Sequence, residues 1–409
     1  MALRIPTAAR RVAYAIELAG GRAWLVGGWV RDQLLGRESN DLDLEAGGLD
    51  ADELELALSA LGPVIRVGRA FPVFKLKMDG MTLDISQPRA DSLPDGQVSV
   101  DPDLPVEESA ARRDLRINAI AIDPLTEELC DPFDGQGDLQ RRQLRAVDAE
   151  RFLDDPLRVL RAARFAAQLN FKADDQLVEI SSRADWSLVA SERIGIELCR
   201  LLRAPFPHQG LYTGCRLGVW SALLKGITIE NSGPELCAME RMPTIGPRLG
   251  PESRALAVAL AILLHRIPAS DFDHTMDRLD IYRKEGLDLR NEIEIAIGRY
   301  QELAENCDRS SLLWAAESGE LAISLGLALA LQPSDTLSEA IKIASELGVL
   351  HTPVLPLIMG RDLVDIGVEP GAALGRLLES IRSAQLDGRI STPEEAQTLA
   401  LELLQSSKT

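Results

Sequence analysis

The chain has 409 residues, with 44 Lys and Arg against 63 Asp and Glu, and a formal net charge of −19 at pH 7. At roughly 100–200 residues per domain, that length predicts two to four domains. The balance of 46% hydrophobic and 26% charged residues excludes a disordered or collagen-like chain. The longest apolar runs, Ala255–Leu264 and Leu321–Leu331, fall short of the roughly 18 residues needed to cross a bilayer, so no membrane role is expected.

The acidity argues against a generally basic DNA binder, and no DNA partner is expected. Any nucleic-acid site must be a local basic patch in an acidic shell. Five cysteines at wide spacing, with no CxxC pair, speak for a reducing cytoplasmic setting and against a disulfide framework or structural zinc. Met1–Arg11 is basic but lacks an apolar stretch and a small-residue cleavage site, so it reads as the start of a helix.

In chain order, Ala23–Gly27 reads as a buried strand, Trp29–Leu35 as a helix and Asp41–Ala46 as a second strand. Lys75–Met78 and Met81–Ser86 flank Asp79-Gly80, a two-residue hairpin signal. Pro88–Ala110 is acidic, rich in Pro and Asp and without period, and reads as a long mobile loop; loops of that length in compact domains are often functional. Its place between the hairpin and Arg112 would let it act as a lever on a pocket formed there. Asn118–Asp123 reads as a further strand and Asp131–Asp138 as a polar turn. From Asp148 onward the pattern is helical. Asp155–Leu169 has Pro at an early helical position, Ser191 suits an N-cap, and Thr392-Pro393-Glu394-Glu395 is a capping box before a last amphipathic helix.

Five segments carry chemistry. In Gly27-Gly28-Trp29-Val30-Arg31-Asp32, paired glycines at a strand-to-helix turn let backbone N–H groups approach an anion, and Arg31 adds a fork for phosphate oxygens. Asp41 and Asp43 are two apart on a strand, so both carboxylates share one face about 6–7 Å apart, an arrangement suited to a hard divalent cation such as Mg²⁺. Asp84, on the hairpin strand, is a candidate third carboxylate that orients or deprotonates an attacking hydroxyl; an ordinary solvent-facing strand residue is the competing reading. In Arg112-Arg113-Asp114-Leu115-Arg116-Ile117-Asn118-Ala119, the arginines can hold phosphates, while Asp114 and Asn118 can bond a ribose hydroxyl. In Asp154-Asp155-Pro156-Leu157-Arg158, continuing through Arg161 and Arg164, helical spacing puts carboxylates beside guanidinium groups on one face, which could read a base edge.

Together these segments resemble the class II tRNA nucleotidyltransferase and bacterial poly(A) polymerase family. The motifs occur in the family's order: GGxVRD with DxD, RRDxxxNA, DxxxGxxDL (Asp131–Leu139), an acidic D-x-x-R helix, and ERIxxEL (Glu192–Leu198). Motif cover is dense over residues 20–203, sparse over 204–350, and recovers over 355–400. The resemblance implies an α+β fold: an N-terminal nucleotidyltransferase-type mixed β-sheet head with helices over residues 1–145, then an all-α neck (146–205), body (206–305) and tail (306–409). It implies Mg²⁺ on Asp41 and Asp43, and the triphosphate near Gly27, Gly28 and Arg31. Arg113, Asp114 and Asn118 would engage sugar and phosphates. Asp155 and Arg158 would act as a protein template for the base of CTP or ATP, with Arg161 and Arg164 in the same nucleotide-binding set. Body and tail would grip tRNA.

The activity so implied is addition of CMP, CMP and AMP to a tRNA 3′ end without a nucleic-acid template, releasing pyrophosphate. CC-only or A-only addition, poly(A) synthesis and a non-catalytic RNA-binding relative stay open as alternatives. Asp154 stands where the family usually has Glu, and the loop before Arg112 is a few residues shorter than in many CCA-adding members. The family's additional phosphohydrolase domain needs His-Asp; here His265 is followed by Arg266, so that activity is not expected.

Overall fold

The computed structural model describes residues 4–68, 72–92, 98–224, 229 and 232–406. The chain divides into two compact units. One comprises Met1–Ala190 with Gln209–Val219, the other Ser191–His208 with Trp220–Thr409.

The first unit is built on a seven-stranded sheet. Its strands are β1 (Arg22–Val26), β2 (Asp41–Gly47), β3 (Val64–Val67), β4 (Val73–Met78), β5 (Met81–Ser86), β8 (Ala121–Ile122) and β9 (Leu129–Cys130). They lie in the order β3-β4-β5-β2-β1-β8-β9, and only β2 and β5 run parallel. The first helix, α1 (Thr7–Leu18), buries Ala8, Ala9, Val12, Ala13 and Ile16, a stripe at helical spacing, and packs on β1. Between β1 and β2 runs α2 (Gly28–Leu34), and α3 (Ala51–Ser59) follows under an Asp50–Glu53 capping box. Asp79 and Gly80 both have positive φ, so the β4–β5 turn has the twist that the dipeptide demands.

Three sequence expectations change. Pro88–Ala110 is not a plain loop: β6 (Arg89–Ser92) pairs antiparallel with β7 (Val98–Val100), and α4 (Val106–Ala110) follows. Strands this short carry too few residues for a readable period; the expected mobility at 93–97 lies outside the described residues. The strand expected over Asn118–Asp123 shrinks to β8. Arg116–Asn118 instead forms one 3₁₀ turn, with the Asn118 amide buried against Asp114. The polar turn expected at Asp131–Asp138 holds a helix, α5 (Gly135–Arg141). The Asp131 carboxylate accepts from the Gly135 and Gln136 N–H groups, and a Cβ on Gly135 would collide with the Arg116 carbonyl.

The second unit is helical apart from a small two-stranded pair, Arg283–Lys284 with Leu287–Asp288. Its centre is the helix Leu321–Leu331, in which every residue from Leu321 to Ala330 is buried. Helices Pro234–Ile245, Glu252–Leu264 and Leu289–Glu305 pack around it, as a helix apolar on all sides requires. Both long apolar runs of the sequence are therefore core helices. A separate apolar cluster forms near the C-terminus around Leu363, Leu377, Ile381 and Ala396. The Thr392 capping box forms as expected, with reciprocal bonds to Glu395. No helix among the described residues is long and apolar enough to cross a membrane.

Candidate active site

Strand alternation builds the acidic floor of the site. Leu42 and Leu44 of β2, and Leu83 and Ile85 of β5, are fully buried, so Asp41, Asp43 and Asp84 take the opposite face. The parallel register sets Asp43 directly beside Asp84. On the far side of β5, Lys75 of β4 pairs with Asp84, Nζ to Oδ2 at 2.7 Å. The other oxygen, Asp84 Oδ1, is buried and has no hydrogen-bond partner among the described residues. Desolvation raises the Asp43 pKa above the ordinary value. The negative charges of Asp84 and Asp41 add to that shift, and the cations Arg113 and Lys75 only partly offset it.

These residues fit a divalent cation. The donors are hard carboxylate oxygens, one of them is orphaned, and mutual repulsion disfavours the charged pair unless a cation arrives. Among the described residues no three His, Cys, Asp or Glu side chains stand as a ready-made ligand cluster. An ion held by Asp41 and Asp43 would therefore complete its shell with substrate oxygens and water.

Next to the carboxylates lies the glycine turn. Gly27 has φ 72° and ψ −135°, open only to glycine, and a Cβ there would sit 3.4 Å from Arg113 Nη1 and 3.5 Å from Asp43 Oδ2. Gly27 thus brings the main chain between β2, which carries Asp43, and Arg113. The helix it starts has only seven residues, so charge for an anion must come mainly from side chains. Arg31 is buried and already engaged: Nε and Nη2 hold Asp32 at 2.9 and 3.0 Å, and Nη1 donates to Asn118 Oδ1 at 2.9 Å.

Asn118 passes this contact on. Its Nδ2 donates to Asp114 Oδ1 at 2.9 Å, and Asp114 Oδ2 accepts from Arg161 Nε at 2.9 Å. Arg31, Asn118, Asp114 and Arg161 therefore form one chain linking α2, the RRD segment and α6 (Leu157–Leu169). Burial alone would raise the Asp114 pKa, but the Arg161 charge and the bonds from Asn118, Arg161 and the Leu115 N–H outweigh it, and the pKa is lowered. Asp114 therefore contributes stability that is present above about pH 3.9 and is lost as pH falls through its lower folded value. Asp114→Ala is expected to cost about 1–3 kcal/mol, because it leaves the buried Asn118 amide without its acceptor. Asp114→Asn should flatten the acid limb of stability. Urea unfolding between pH 7 and pH 3 checks both; parallel acid limbs for parent and Asp114→Asn would refute the linkage.

The residues expected to read the base are placed differently from the sequence expectation. Asp154 ends a 3₁₀ turn, and Asp155 is extended, with φ −129° and ψ 100°; neither lies on the helix with Arg158. Pro156 is the reason, since its ring excludes the preceding residue from helical backbone. Asp155 instead approaches from beyond the helix start, where its Oδ1 accepts from the Leu157 N–H at 3.2 Å. Arg158 donates to the carbonyls of Arg151 and Arg112, both at 2.8 Å. Arg164, which unlike Arg158 is buried, donates to Gln168 Oε1 at 2.8 Å.

Three neighbours escaped the sequence reading. Lys75 was computable, because a two-residue turn at Asp79-Gly80 pairs it with Asp84. Glu45 extends the Asp41–Asp43 face by one more alternation and lies buried, 3.7 Å from Arg113 Nη2. Arg89, brought in by β6, lies within electrostatic reach of Arg113, Arg158 and Glu45. Burial lowers its pKa first, and the two arginines lower it further. No local signal marks Arg89, because only the β6–β7 pairing sets its place.

Residues 23–145 match the Poly A polymerase head domain family. A CC-adding tRNA nucleotidyltransferase of Synechocystis sp. is 30% identical, covering 96% of each chain. A CCA-adding enzyme of Levilactobacillus brevis is 28% identical over the same share of each chain. In fold, the chain resembles a CCA-adding enzyme solved with CTP, with a TM-score of 0.76 at 22% identity, covering 97% of this chain and 94% of that one. Together with the five motifs and the carboxylate face they build, these likenesses establish that the chain belongs to the tRNA nucleotidyltransferase and poly(A) polymerase family and is a nucleotidyltransferase.

Proposed function

We propose that this enzyme completes the 3′ end of tRNA, adding CMP, CMP and then AMP from CTP and ATP and releasing pyrophosphate. The observation that carries the reading is that the acidic face, the glycine turn with Arg113, and the Asp155–Arg158 pair all occur in one compact unit. The likeness of the whole chain to tRNA nucleotidyltransferases supports tRNA as the acceptor.

In the reaction, the terminal 3′ oxygen attacks the α-phosphorus, the bond to the β-phosphate breaks, and pyrophosphate leaves. Asp84 Oδ1, without a hydrogen-bond partner among the described residues, takes the hydroxyl proton. Arg113 holds phosphate oxygens beside Gly27. Asp155 accepts from the exocyclic amine of cytosine or adenine, and Arg158 donates to the ring nitrogen. Nucleotidyltransferases of this kind use a divalent metal. Mg²⁺ on Asp41 and Asp43 would supply charge neutralisation and a lowered hydroxyl pKa. A cytoplasmic setting follows from the tRNA substrate.

CC addition alone is the second reading, favoured by the Synechocystis relative. The test is product length from transcripts ending at the discriminator base, at C and at CC, each supplied with labelled CTP or ATP. Full CCA ends support the proposal, whereas products stopping at CC, a single added A, or long A tails each replace it. No addition to any transcript would refute catalysis on tRNA.

A further inference from the structure

Three guanidinium groups meet one aromatic ring next to the nucleotide-binding residues. Phe165 of α6 is 4% exposed. The Cζ atoms of Arg164, Arg31 and Arg161 lie 4.0, 5.2 and 5.7 Å from its ring centroid. All three distances fall within the roughly 6 Å over which the ring quadrupole attracts a guanidinium. The cations come from two elements, Arg31 from α2 and the others from α6.

Holding like charges this close costs Coulomb energy, and the cost grows with burial. Asp32 on Arg31 and Asp114 on Arg161 offset part of it. The ring faces offset a further part, and they are common to all three cations. A leucine would also be apolar at this buried position, but it has no quadrupole. An aromatic at this position therefore does something for the arginines that packing does not demand.

We propose that Phe165 is a positioning residue for the triphosphate: its ring orders Arg31, Arg161 and Arg164 into one array, and that array receives the phosphates of the incoming nucleotide. This rests on the nucleotidyltransferase reading above. The array is assembled before substrate arrives, so the arginines need no costly ordering at the moment of binding. Because the ring acts through ground-state binding, its loss should fall on KM and leave kcat nearly unchanged.

The decisive experiment replaces Phe165 by pentafluorophenylalanine, which keeps the shape and abolishes the negative ring face. KM for CTP and ATP should rise about tenfold with kcat within about twofold. Affinity for inorganic tripolyphosphate, measured by calorimetry without tRNA, should fall by the same factor. Singly and triply fluorinated rings should fall in between. Phe165→Tyr should stay close to the parent, and Phe165→Leu should follow the pentafluoro form. If the pentafluoro protein binds tripolyphosphate like the parent, and Phe165→Leu lowers only the melting temperature, the ring is core packing and the inference is overturned. Fluorine-dependent tripolyphosphate binding in a protein that adds nothing to tRNA would instead uphold the array and refute the functional reading.

Discussion

Asp43→Asn is expected to abolish nucleotide addition and at the same time to make the protein more stable. The loss of activity should be on the order of 10³-fold or more, since the change removes a carboxylate that would hold the Mg²⁺ whose charge neutralises the reacting phosphates, an effect of several kcal/mol. The gain in stability follows from the raised pKa of this group. A carboxyl whose folded pKa lies above its unfolded value makes stability fall as pH rises from the unfolded value to the folded one. The penalty then persists at neutral pH. Asparagine carries no charge and escapes it. In the parent a divalent cation should relieve the same penalty, so Mg²⁺ should raise the parental melting temperature and leave that of Asp43→Asn unchanged. Chelator should silence the parent, and Mg²⁺ should restore it. tRNA affinity should survive the substitution. A variant that melts earlier and binds tRNA worse would point to a folding defect and remove the metal-site argument.

The second large effect concerns nucleotide choice. Uracil and guanine present a carbonyl where cytosine and adenine present an amine, which sets acceptor against the Asp155 carboxylate. Such a mismatch costs about 1–3 kcal/mol per contact. Asp155→Ala combined with Arg158→Ala should therefore erode discrimination among the four nucleotides more than it weakens triphosphate binding. The structure adds a further expectation. Arg158 spreads its two terminal nitrogens over the Arg151 and Arg112 carbonyls. A lysine ammonium cannot span that fork, so Arg158→Lys should lose selectivity nearly as badly as Arg158→Ala. Relative incorporation of the four nucleotides by each variant measures this. Parental selectivity in the double variant would make the segment structural and sink the template assignment.

How legible these features were depended on the range of the interactions that make them. The Asp41–Asp43 face, the Asp79-Gly80 hairpin and the Thr392 capping box are set by residues a few positions apart. Backbone period and local hydrogen bonds govern such features, and they appear as expected. Asp155 illustrates a local rule misapplied. Helical spacing was extended backwards through Pro156, although the proline itself announces that its predecessor is not helical. The helix at Gly135–Arg141 illustrates a rule too weak to use: its start depends on Asp131 capping from four residues away and on glycine fitting under a carbonyl from another segment.

By itself, the sequence determined the alternation of the head strands, the helical character after Asp148, the family, and which residue types were available for chemistry. Only the tertiary structure decided which of those residues meet. It set Asp43 beside Asp84 through a parallel pairing across some forty positions. It linked Arg31 to Arg161 through Asn118 and Asp114, carried Arg89 towards Arg113 and Arg158, and gathered three arginines on Phe165. The physical reason is that strand order, and the satisfaction of buried polar groups, are decided by the whole packed unit. A buried Asp114 or Asn118 must find partners wherever the fold puts them, and no window of local sequence contains that choice.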